Sequence, residues 1–357
     1  MTLTVLSVAY PFNAVGPDSV GGAEQVVAAL DRALAGGGHT SLVIACEGSA
    51  VAGTLLPVPR VRGVVDHAVR AAVHARVRAA VAQALERHPV DLVHLHGVDF
   101  HAYLPPPGPP ALVTLHLPLD HYPPAALTPA RPDTHLHGVS RAQVRGAPAD
   151  LRLLDPIENG VPVDRLAIRI PKRRFAVGLG RICPEKGFHH ALDAAALADI
   201  QFLLAGEVQP YPEHRRYFRE TIEPRLDRVR RRFLGPVGFA RKRWMLGAAR
   251  CLLAPSLVAE TGSLVAMEAL ACGTPVVAFP SGALVDVVDP GVTGFLVNDV
   301  REMADAIAEA ERIDPDACRA AARARHGLDR SVERYLALYE RLAAGQAAPA
   351  AATVGAA

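Results

Sequence analysis

The sequence predicts an α/β protein of two domains, each a parallel β-sheet flanked by helices. Short apolar segments alternate with helical patterns along almost the whole chain, which is typical of parallel sheets covered on both faces. The alternation begins again after the polar segment at 171–174. The length of 357 residues also fits two domains, since a domain commonly has about 100–200 residues.

Strands and helices are predicted in order along both halves. In the first half, strands are predicted at 2–9, 41–46, 91–96, 111–117 and 152–157, with a helix at 23–35 that three glycines end. In the second half, strands are predicted at 175–179, 201–205, 251–254, 275–279 and 294–297. Helices there are predicted at 188–197, 212–229, 241–248, 264–271, 300–312 and 331–342. The alanine-rich tail at 344–357 is predicted to be disordered.

Composition and charge exclude several classes of protein. Half of the residues are hydrophobic and 21% are charged, which excludes general disorder. A formal net charge of +2 excludes a general nucleic-acid footprint. The five cysteines form no C-x-x-C pair, so neither a disulfide framework nor a zinc ribbon is indicated. With neither a leader pattern nor about 20 uninterrupted apolar residues, the chain is expected to be cytoplasmic.

A helix start between two glutamates is the first candidate site. Gly262 and Ser263 open an apolar helix whose first backbone N–H groups and positive dipole end suit a phosphate. Glu260 and Glu268 would lie about 12 Å apart along a helix, beyond the roughly 5–10 Å of a glycosidase carboxylate pair. Carboxylates accept hydrogen bonds from hydroxyls, so the two glutamates instead fit the sugar and ribose ends of a longer ligand.

Two basic residues follow the first strand of the second half. That strand ends in Gly178 and Gly180, Arg181 comes next, and Lys186 precedes a helix. Ligands of open α/β sheets bind at the carboxyl ends of the strands, where a guanidinium and an ammonium together suit a diphosphate. A dinucleotide fingerprint is excluded because Cys183 stands where its third glycine would be.

The first half offers a glycine pair and a group of histidines. Gly21 and Gly22 precede a helix and allow a ligand to approach the backbone closely. His116 ends a predicted strand at the carboxyl edge of the sheet. His94 and His96 face one side of another strand, which leaves a zinc-dependent hydrolase as an alternative, although no complete ligand set follows.

A basic amphipathic helix is predicted from about residue 61 onwards. Every fourth residue from Val61 to Leu85 is apolar, and Arg62, Arg70 and Arg78 lie on a neighbouring row. This pattern is typical of a helix docked on the sheet with a solvated arginine face. The alternative is contact with an anionic membrane surface or an acidic acceptor, which would place the protein at the inner face of the membrane.

Taken in order, these segments resemble the family 4 retaining glycosyltransferases of GT-B architecture. The resemblance covers G-G-A-E at 21–24, D-L-V-H-L-H-G at 91–97, the strand ending in His116, G-V-S-R-A-Q at 138–143, I-E-N-G-V-P at 157–162, G-R-I-C-P-E-K-G at 180–187, Glu260-x7-Glu268 and G-V-T-G-F-L-V at 291–297. It implies two Rossmann-like parallel-sheet domains facing across a cleft. An acceptor-side domain would span 1–165 and a donor-binding domain 166–328, with a helix at 329–343 crossing back to the first.

The resemblance also implies a role for each candidate residue. Arg181 and Lys186 would hold the diphosphate, Glu268 the ribose and Glu260 the hydroxyls of the transferred sugar. His116 would lie beside the reacting sugar and the acceptor. Catalytic roles thus fall on His116, Glu260, Arg181 and Lys186, and donor contacts on Gly21, Gly22, Gly180, Arg181, Lys186, Gly262, Ser263, Leu264, Val265 and Glu268.

The implied reaction moves a hexose from a UDP- or GDP-sugar to a carbohydrate, lipid-linked or small-molecule hydroxyl, as in the assembly of cell-envelope polysaccharides. The attack would come from the same face as the departing diphosphate, and neither a metal nor a cofactor is expected. Two departures from the family pattern stand out. Gly262-Ser263 replaces an aromatic-glycine pair, and Ser19 and Val20 precede the glycines in place of the lysine typical of glucan synthases. A sugar-nucleotide epimerase or hydrolase and a non-catalytic binding protein remain as alternatives.

Overall fold

The computed structural model describes residues 2–16, 19, 21–346, 348 and 350–351. These fall into two compact units, one of Met1–Glu158 with Arg330–Ala357 and one of Asn159–Asp329. Residues 159–165, which the sequence assigns to the first domain, lie in the second unit. The reason is that Val161 and Val163 are buried in the hydrophobic core of that unit.

The first unit contains a seven-stranded parallel sheet of order β3-β2-β1-β4-β5-β6-β7. Its strands are β1 Thr4–Val8, β2 Thr40–Cys46, β3 Thr54–Val58, β4 Leu92–Leu95, β5 Ala111–Leu115, β6 Thr134–Gly138 and β7 Leu153–Leu154. The alternation in sequence did not predict β3 or β6. Pro57 lies within β3, and histidines occupy two positions of β6, so neither segment reads as an apolar run typical of a buried strand.

The second unit contains a six-stranded parallel sheet of order β10-β9-β8-β11-β12-β13. Its strands are β8 Phe175–Leu179, β9 Gln201–Ala205, β10 Arg231–Phe233, β11 Cys251–Ala254, β12 Val276–Ala278 and β13 Gly294–Leu296. The prediction of two α/β domains with parallel sheets is therefore confirmed. Only β10, a basic edge strand, was not predicted.

Helices of the described residues alternate with these strands along the chain. They are α1 Gly22–Gly36, α2 His67–Arg87, α3 Pro124–Leu127, α4 Arg141–Arg145, α5 Val163–Leu166, α6 Phe188–Leu197, α7 Pro212–Tyr217, α8 Phe239–Ala248, α9 Leu264–Ala271, α10 Leu284–Val287, α11 Val300–Glu309, α12 Pro315–Arg325 and α13 Leu328–Ala343. Among the helices described, none is long and apolar enough to cross a bilayer.

Two predicted helices have different bounds in the structure. The basic helix α2 begins at His67 rather than near residue 61, because the carboxylate of Asp66 caps it by accepting from the backbone N–H of Val69 at 2.8 Å. The helix predicted at 212–229 is α7 only as far as Tyr217. A π-helical turn and a 3-10 turn containing Pro224 follow, and this proline cannot donate the hydrogen bond that would continue a regular helix.

The last helix belongs to the first unit from Arg330 onwards, together with the described residues that follow it. Tyr335 and Tyr339 of α13 are buried against residues of β1, β4 and β5 in one hydrophobic cluster. The tail is not wholly disordered as predicted, because Ala350 forms an antiparallel bridge with Leu154 at the sheet edge. Edge strands such as β7 offer unpaired backbone groups for this kind of pairing. Residues 347, 349 and 352–357 of the tail lie outside the described residues.

Candidate functional site

A charged cluster lies beyond the carboxyl ends of β8 and β11, two adjacent strands of the second unit. The Nζ atom of Lys186 lies 2.6 Å from Oε1 of Glu260. The hydroxyl of Ser256 donates to the same carboxylate oxygen. Both charged side chains are largely buried, with 23% of Lys186 and 10% of Glu260 exposed. The two predicted candidates Lys186 and Glu260 are therefore brought into direct contact.

The surroundings keep Glu260 ionised despite its burial. Burial by itself would raise the pKa of this carboxyl group, but the charge of Lys186, the hydrogen bonds from Lys186 and Ser256 and the charge of Arg181 together hold the pKa below its usual value. Arg181 thus lies near enough to act on Glu260, and its own side chain is half-buried. The cluster therefore contains an ionised carboxylate in contact with Lys186 and under the influence of the Arg181 charge.

The two loops that carry these side chains are held against each other by backbone contacts. Gly187 has a φ of +62°, and a Cβ at this position would lie 2.1 Å from the carbonyl oxygen of Pro255, so only glycine fits there. The backbone N–H of Leu257 donates to the carbonyl oxygen of Glu185 at 2.8 Å. These contacts fix the distance between the loop of Lys186 and that of Glu260.

The start of α9 lies directly after Glu260 and provides free backbone donors. Glu260 itself precedes the helix and forms a parallel bridge with Gly282. The helix begins at Leu264, and the N–H groups of Ser263 and Leu264 have no hydrogen-bond acceptor among the described residues. Ser263 is buried and Leu264 and Val265 are half-buried. This arrangement is suited to an anionic group.

The second glutamate, Glu268, is paired with a lysine that sequence reasoning missed. Nζ of Lys242, on α8, lies 2.5 Å from Oε1 of Glu268, and only 13% and 4% of these side chains are exposed. Burial raises the pKa of Glu268, and the charge and hydrogen bond of Lys242 offset part of that rise. Lys242 lies between two arginines in the sequence, a pattern that is typical of a solvated helix face, so no local signal could have found it.

In the first unit, the predicted glycine loop is occupied by an acidic side chain. Gly21 is the N-cap of α1, which begins at Gly22. The buried carboxylate of Glu24 lies so close to Gly21 that a Cβ there would be 1.8 Å from its Oε2 atom. Asn13 donates to Glu24 Oε1 at 2.9 Å. A phosphate at Gly22 would therefore share this helix start with a carboxylate.

His116, the predicted active-site histidine of the first unit, belongs to a column of histidine rings. Its Nε2 atom lies 3.0 Å from Nδ1 of His96, and the two rings are stacked. Burial lowers the pKa of His116 to about 3, and the neighbouring His137 adds to this effect. The imidazole of His116 is therefore neutral at physiological pH.

The remaining histidines of this column are linked by hydrogen bonds rather than arranged around a metal position. His137 Nδ1–H donates to the carbonyl oxygen of Gly138 at 2.9 Å, so its Nε2 accepts from the hydroxyl of Thr114 at 2.7 Å. Thr114 in turn accepts from Nε2–H of His94, whose Nδ1 accepts from the hydroxyl of Tyr339, both at 2.7 Å. Both ring nitrogens of His94 are engaged in hydrogen bonds, so His94 is not available to bind zinc. The zinc-dependent hydrolase that was an alternative therefore lacks the first of its candidate ligands.

The basic row of α2 is only partly a solvated face. Arg62 precedes the helix and is exposed. Arg70 stacks over the ring of Phe12 at 5.3 Å and lies 4.0 Å from Asp99. Arg78 is exposed and donates to the carbonyl oxygen of Ala102 at 2.5 Å. The three arginines do not form one free basic surface.

The fold of the two parallel-sheet units is similar to that of glycosyltransferases of GT-B architecture. Residues 173–311 match the family described as "Glycosyl transferases group 1". This segment contains every predicted site residue of the second unit, so the resemblance to that family is confirmed.

Two of the proteins to which the chain is similar are named as glycosyltransferases. A D-inositol 3-phosphate glycosyltransferase of Mycolicibacterium paratuberculosis is 32% identical over 219 residues, which are 54% of this chain and 48% of the relative. AviGT4, a glycosyltransferase involved in avilamycin A biosynthesis, is 25% identical, with a TM-score of 0.69 over 96% of this chain and 98% of its own.

A third similar protein, HepE of Anabaena in complex with UDP-glucose, is 19% identical, with a TM-score of 0.71 over 94% of this chain and 99% of its own. At this level of identity the likeness concerns the fold alone. In sequence, the chain spans between 34% and 50% of the length of the curated relatives it matches.

Proposed function

We propose that the chain is a retaining glycosyltransferase that moves a hexose from a nucleotide diphosphate sugar to an acceptor hydroxyl. The observation that carries this proposal is the contact between Lys186 and Glu260, with Arg181 beside them and free N–H groups at the start of α9. A diphosphate and a sugar need cations, backbone donors and a carboxylate side by side, and these residues offer all three.

In the proposed reaction, the cations act on the leaving group. When the bond between the sugar and the diphosphate breaks, negative charge accumulates on the phosphate oxygen. Arg181 and Lys186 stabilise that charge together with the N–H groups of Ser263 and Leu264. Glu260 accepts hydrogen bonds from hydroxyls of the transferred sugar, and the acceptor attacks from the same face, giving its proton to the departing phosphate.

We assign the ribose to Glu268 and the neighbourhood of the acceptor to His116. Glu268 is held by Lys242 at 2.5 Å, so a ribose would bind to an oriented carboxylate. The imidazole of His116 is neutral because burial depresses its pKa to about 3, and a neutral ring can donate or accept one hydrogen bond at a hydroxyl. Gly21 and Gly22 are proposed to approach the donor phosphate, although Glu24 already occupies part of that helix start.

The donor base is proposed to be uracil or guanine, with uracil favoured. HepE, which has a similar fold, is described in complex with UDP-glucose, and this supports a UDP-sugar. Membrane contact through Arg62, Arg70 and Arg78 gains no support, because Arg70 is engaged by Phe12 and Asp99. Sedimentation with anionic vesicles at low and high salt tests that contact. If no salt-sensitive binding is seen, these arginines do not bind a membrane surface.

A donor-binding experiment tests the proposed function directly. Thermal unfolding is followed with UDP, GDP and ADP, each with and without EDTA. A nucleotide at about 100 times its Kd stabilises the folded state by about 2.7 kcal/mol, and we expect UDP or GDP to do so equally with EDTA present. Absence of stabilisation by every nucleotide would contradict the proposal.

A second measurement separates transfer from the alternatives. The protein is incubated with the stabilising nucleotide sugar, with and without a panel of acceptor alcohols, and the anomeric configuration of any product is read by NMR. Transfer with retention supports a retaining glycosyltransferase. Release or isomerisation of the sugar without an acceptor would favour the epimerase or hydrolase alternative. Binding of the nucleotide sugar with no turnover would favour a non-catalytic binding protein.

A further inference from the structure

Three side chains of the second unit place potential metal ligands together, outside the proposed catalytic chemistry. A ligand atom from each of Cys183, Glu185 and His214 lies within 4.8 Å of the other two. Cys183 and Glu185 lie in the loop between β8 and α6, and His214 lies on α7. Among the described residues, no other group of three such side chains comes this close.

Two of these side chains have buried polar atoms that nothing else in the described chain satisfies. Oε2 of Glu185 and Nδ1 of His214 are inaccessible to solvent and have no hydrogen-bond partner. Only 6% of His214 is exposed and Cys183 is fully buried. Native proteins rarely leave buried polar side-chain atoms without a partner. An acceptor oxygen and a ring nitrogen beside a thiol therefore point to a bound group that all three share.

We propose that Cys183, Glu185 and His214 form a zinc site. Thiolate, imidazole and carboxylate are the side-chain ligands that Zn²⁺ prefers, and three of them leave a fourth tetrahedral position for water. The thiolate and the carboxylate together neutralise the two positive charges of the ion. On binding, the Zn–S bond replaces the S–H bond, and the thiol proton is released to solvent.

The thiol of Cys183 is buried, and its proton is therefore retained until a metal ion displaces it. Burial raises the pKa of Cys183 to about 11, against a lowering effect of the Arg181 charge. Arg181 also acts on Glu185 and His214. A soft, thiophilic ion such as Zn²⁺ overcomes this by forming the metal–sulfur bond, whereas Mg²⁺ and Ca²⁺, which prefer oxygen ligands, are expected not to bind.

The zinc ion would join the loop of Arg181 and Lys186 to α7. That helix is already anchored on the start of α6, because the hydroxyl of Tyr217 lies 2.9 Å from Nδ1 of His189. A metal bridge from Cys183 to His214 would attach α7 also to the loop that precedes α6, and would restrict the motion of that loop. The site is structural in this proposal, takes no part in sugar transfer and does not depend on the proposed function.

Metal binding to the full chain, freed of any affinity tag, tests the inference. Zn²⁺ is titrated by calorimetry into chelator-treated protein, and Co²⁺ is titrated separately while the absorption spectrum is recorded. We expect one equivalent of Zn²⁺ per chain, a higher unfolding temperature, and a near-ultraviolet thiolate-to-cobalt band. Sub-stoichiometric Zn²⁺ binding, or a cobalt complex without a thiolate band, would overturn the proposal.

Matched variants locate the site. Cys183→Ser and His214→Gln are expected to weaken Zn²⁺ binding at least tenfold and to abolish the metal-dependent rise in unfolding temperature. Cys46→Ser and His190→Gln remove a cysteine and a histidine outside the cluster and should bind as the unchanged chain does. Unchanged affinity in both cluster variants would place the metal elsewhere and refute the assignment. Because the cobalt spectrum is taken on the unchanged chain, the test holds even if a variant folds poorly.

Discussion

Lys186 and Glu260 lie 74 positions apart in the chain, yet Nζ of one is 2.6 Å from Oε1 of the other. The contact forms because the strands that precede them, β8 and β11, are direct neighbours in the sheet. A largely buried ion pair is weak evidence for stability, since desolvation offsets much of the attraction. Its position at the carboxyl edge of a parallel sheet, where ligands bind, favours a functional reason for keeping it.

Replacing Glu260 with glutamine should reduce turnover far more than nucleotide affinity. Glu260 is assigned to the sugar, so the variant keeps the cations that bind the diphosphate but loses a charged acceptor for sugar hydroxyls. Hydrogen bonds to charged groups contribute about 1.5–3 kcal/mol, which corresponds to roughly a 10- to 150-fold fall in turnover. The measurements are steady-state transfer and UDP or GDP binding by calorimetry. A similar loss in nucleotide affinity would remove Glu260 from the sugar end.

Replacing Lys186 or Arg181 with alanine should weaken binding of the nucleoside diphosphate itself. Each variant loses charged hydrogen bonds worth about 1.5–3 kcal/mol, and we expect calorimetry to show a corresponding rise in Kd. Arg174→Ala is the matched control, because Arg174 is an exposed arginine of the same unit, 3.9 Å from Asp199. If both site variants bound the diphosphate as tightly as this control, neither side chain would belong to the site.

Replacing Lys242 with methionine should destabilise the second unit. The change leaves the carboxylate of Glu268 buried without its partner, and breaking a buried pair in this way costs about 3–5 kcal/mol. The free energy of unfolding is measured by urea titration of Lys242→Met and of the double variant Lys242→Met/Glu268→Leu. The double variant should recover most of the lost stability, because it removes the unpaired charge, and it should lose nucleotide affinity, because it also removes the proposed ribose acceptor. A stable single variant would show that the pair contributes little to folding.

Sequence reasoning proposed those parts of the candidate site that depend on neighbouring residues in the chain. Buried parallel strands are apolar runs, so β8 and β11 could be read directly, and the loops after them follow from the strand ends. Lys242 could not be found, because its role depends on the packing of α8 against α9. The cluster of Cys183, Glu185 and His214 depends in the same way on how α7 folds back.

The elements that the sequence pattern did not predict correctly depend on contacts of individual side chains. The strand β6 carries His137, whose ring is satisfied by Thr114 and the carbonyl oxygen of Gly138, so a polar residue stands where an apolar one would be expected. The apolar row that begins at Val61 extends beyond the N-terminus of α2, and the cap at Asp66 decides where the helix begins. Periodicity alone cannot locate that boundary.

The histidine column of the first unit should make stability fall as the pH is lowered below about 6.5. Burial lowers the pKa of His137 to about 4 and that of His116 to about 3, and it lowers those of His94 and His96 well below the usual value. Between these folded-state pKa values and the unfolded value of about 6.5, the unfolded chain binds more protons than the folded chain. The contribution to stability is therefore fully present above about pH 6.5 and is lost as the pH falls towards 4.

The size of this effect is set by the number of buried neutral rings. One histidine with an ordinary pKa of about 6.5 when unfolded and about 3 when folded contributes about 2 kcal/mol of pH-dependent loss between pH 7 and pH 5. His116→Asn should therefore lose about that much less stability over this interval than the unchanged chain, whatever its stability at pH 7. His101→Asn, at an exposed position, is the control and should keep the full dependence. The measurement is urea unfolding at pH 7 and pH 5, and equal losses in His116→Asn and the unchanged chain would show that the ring is not held neutral by burial.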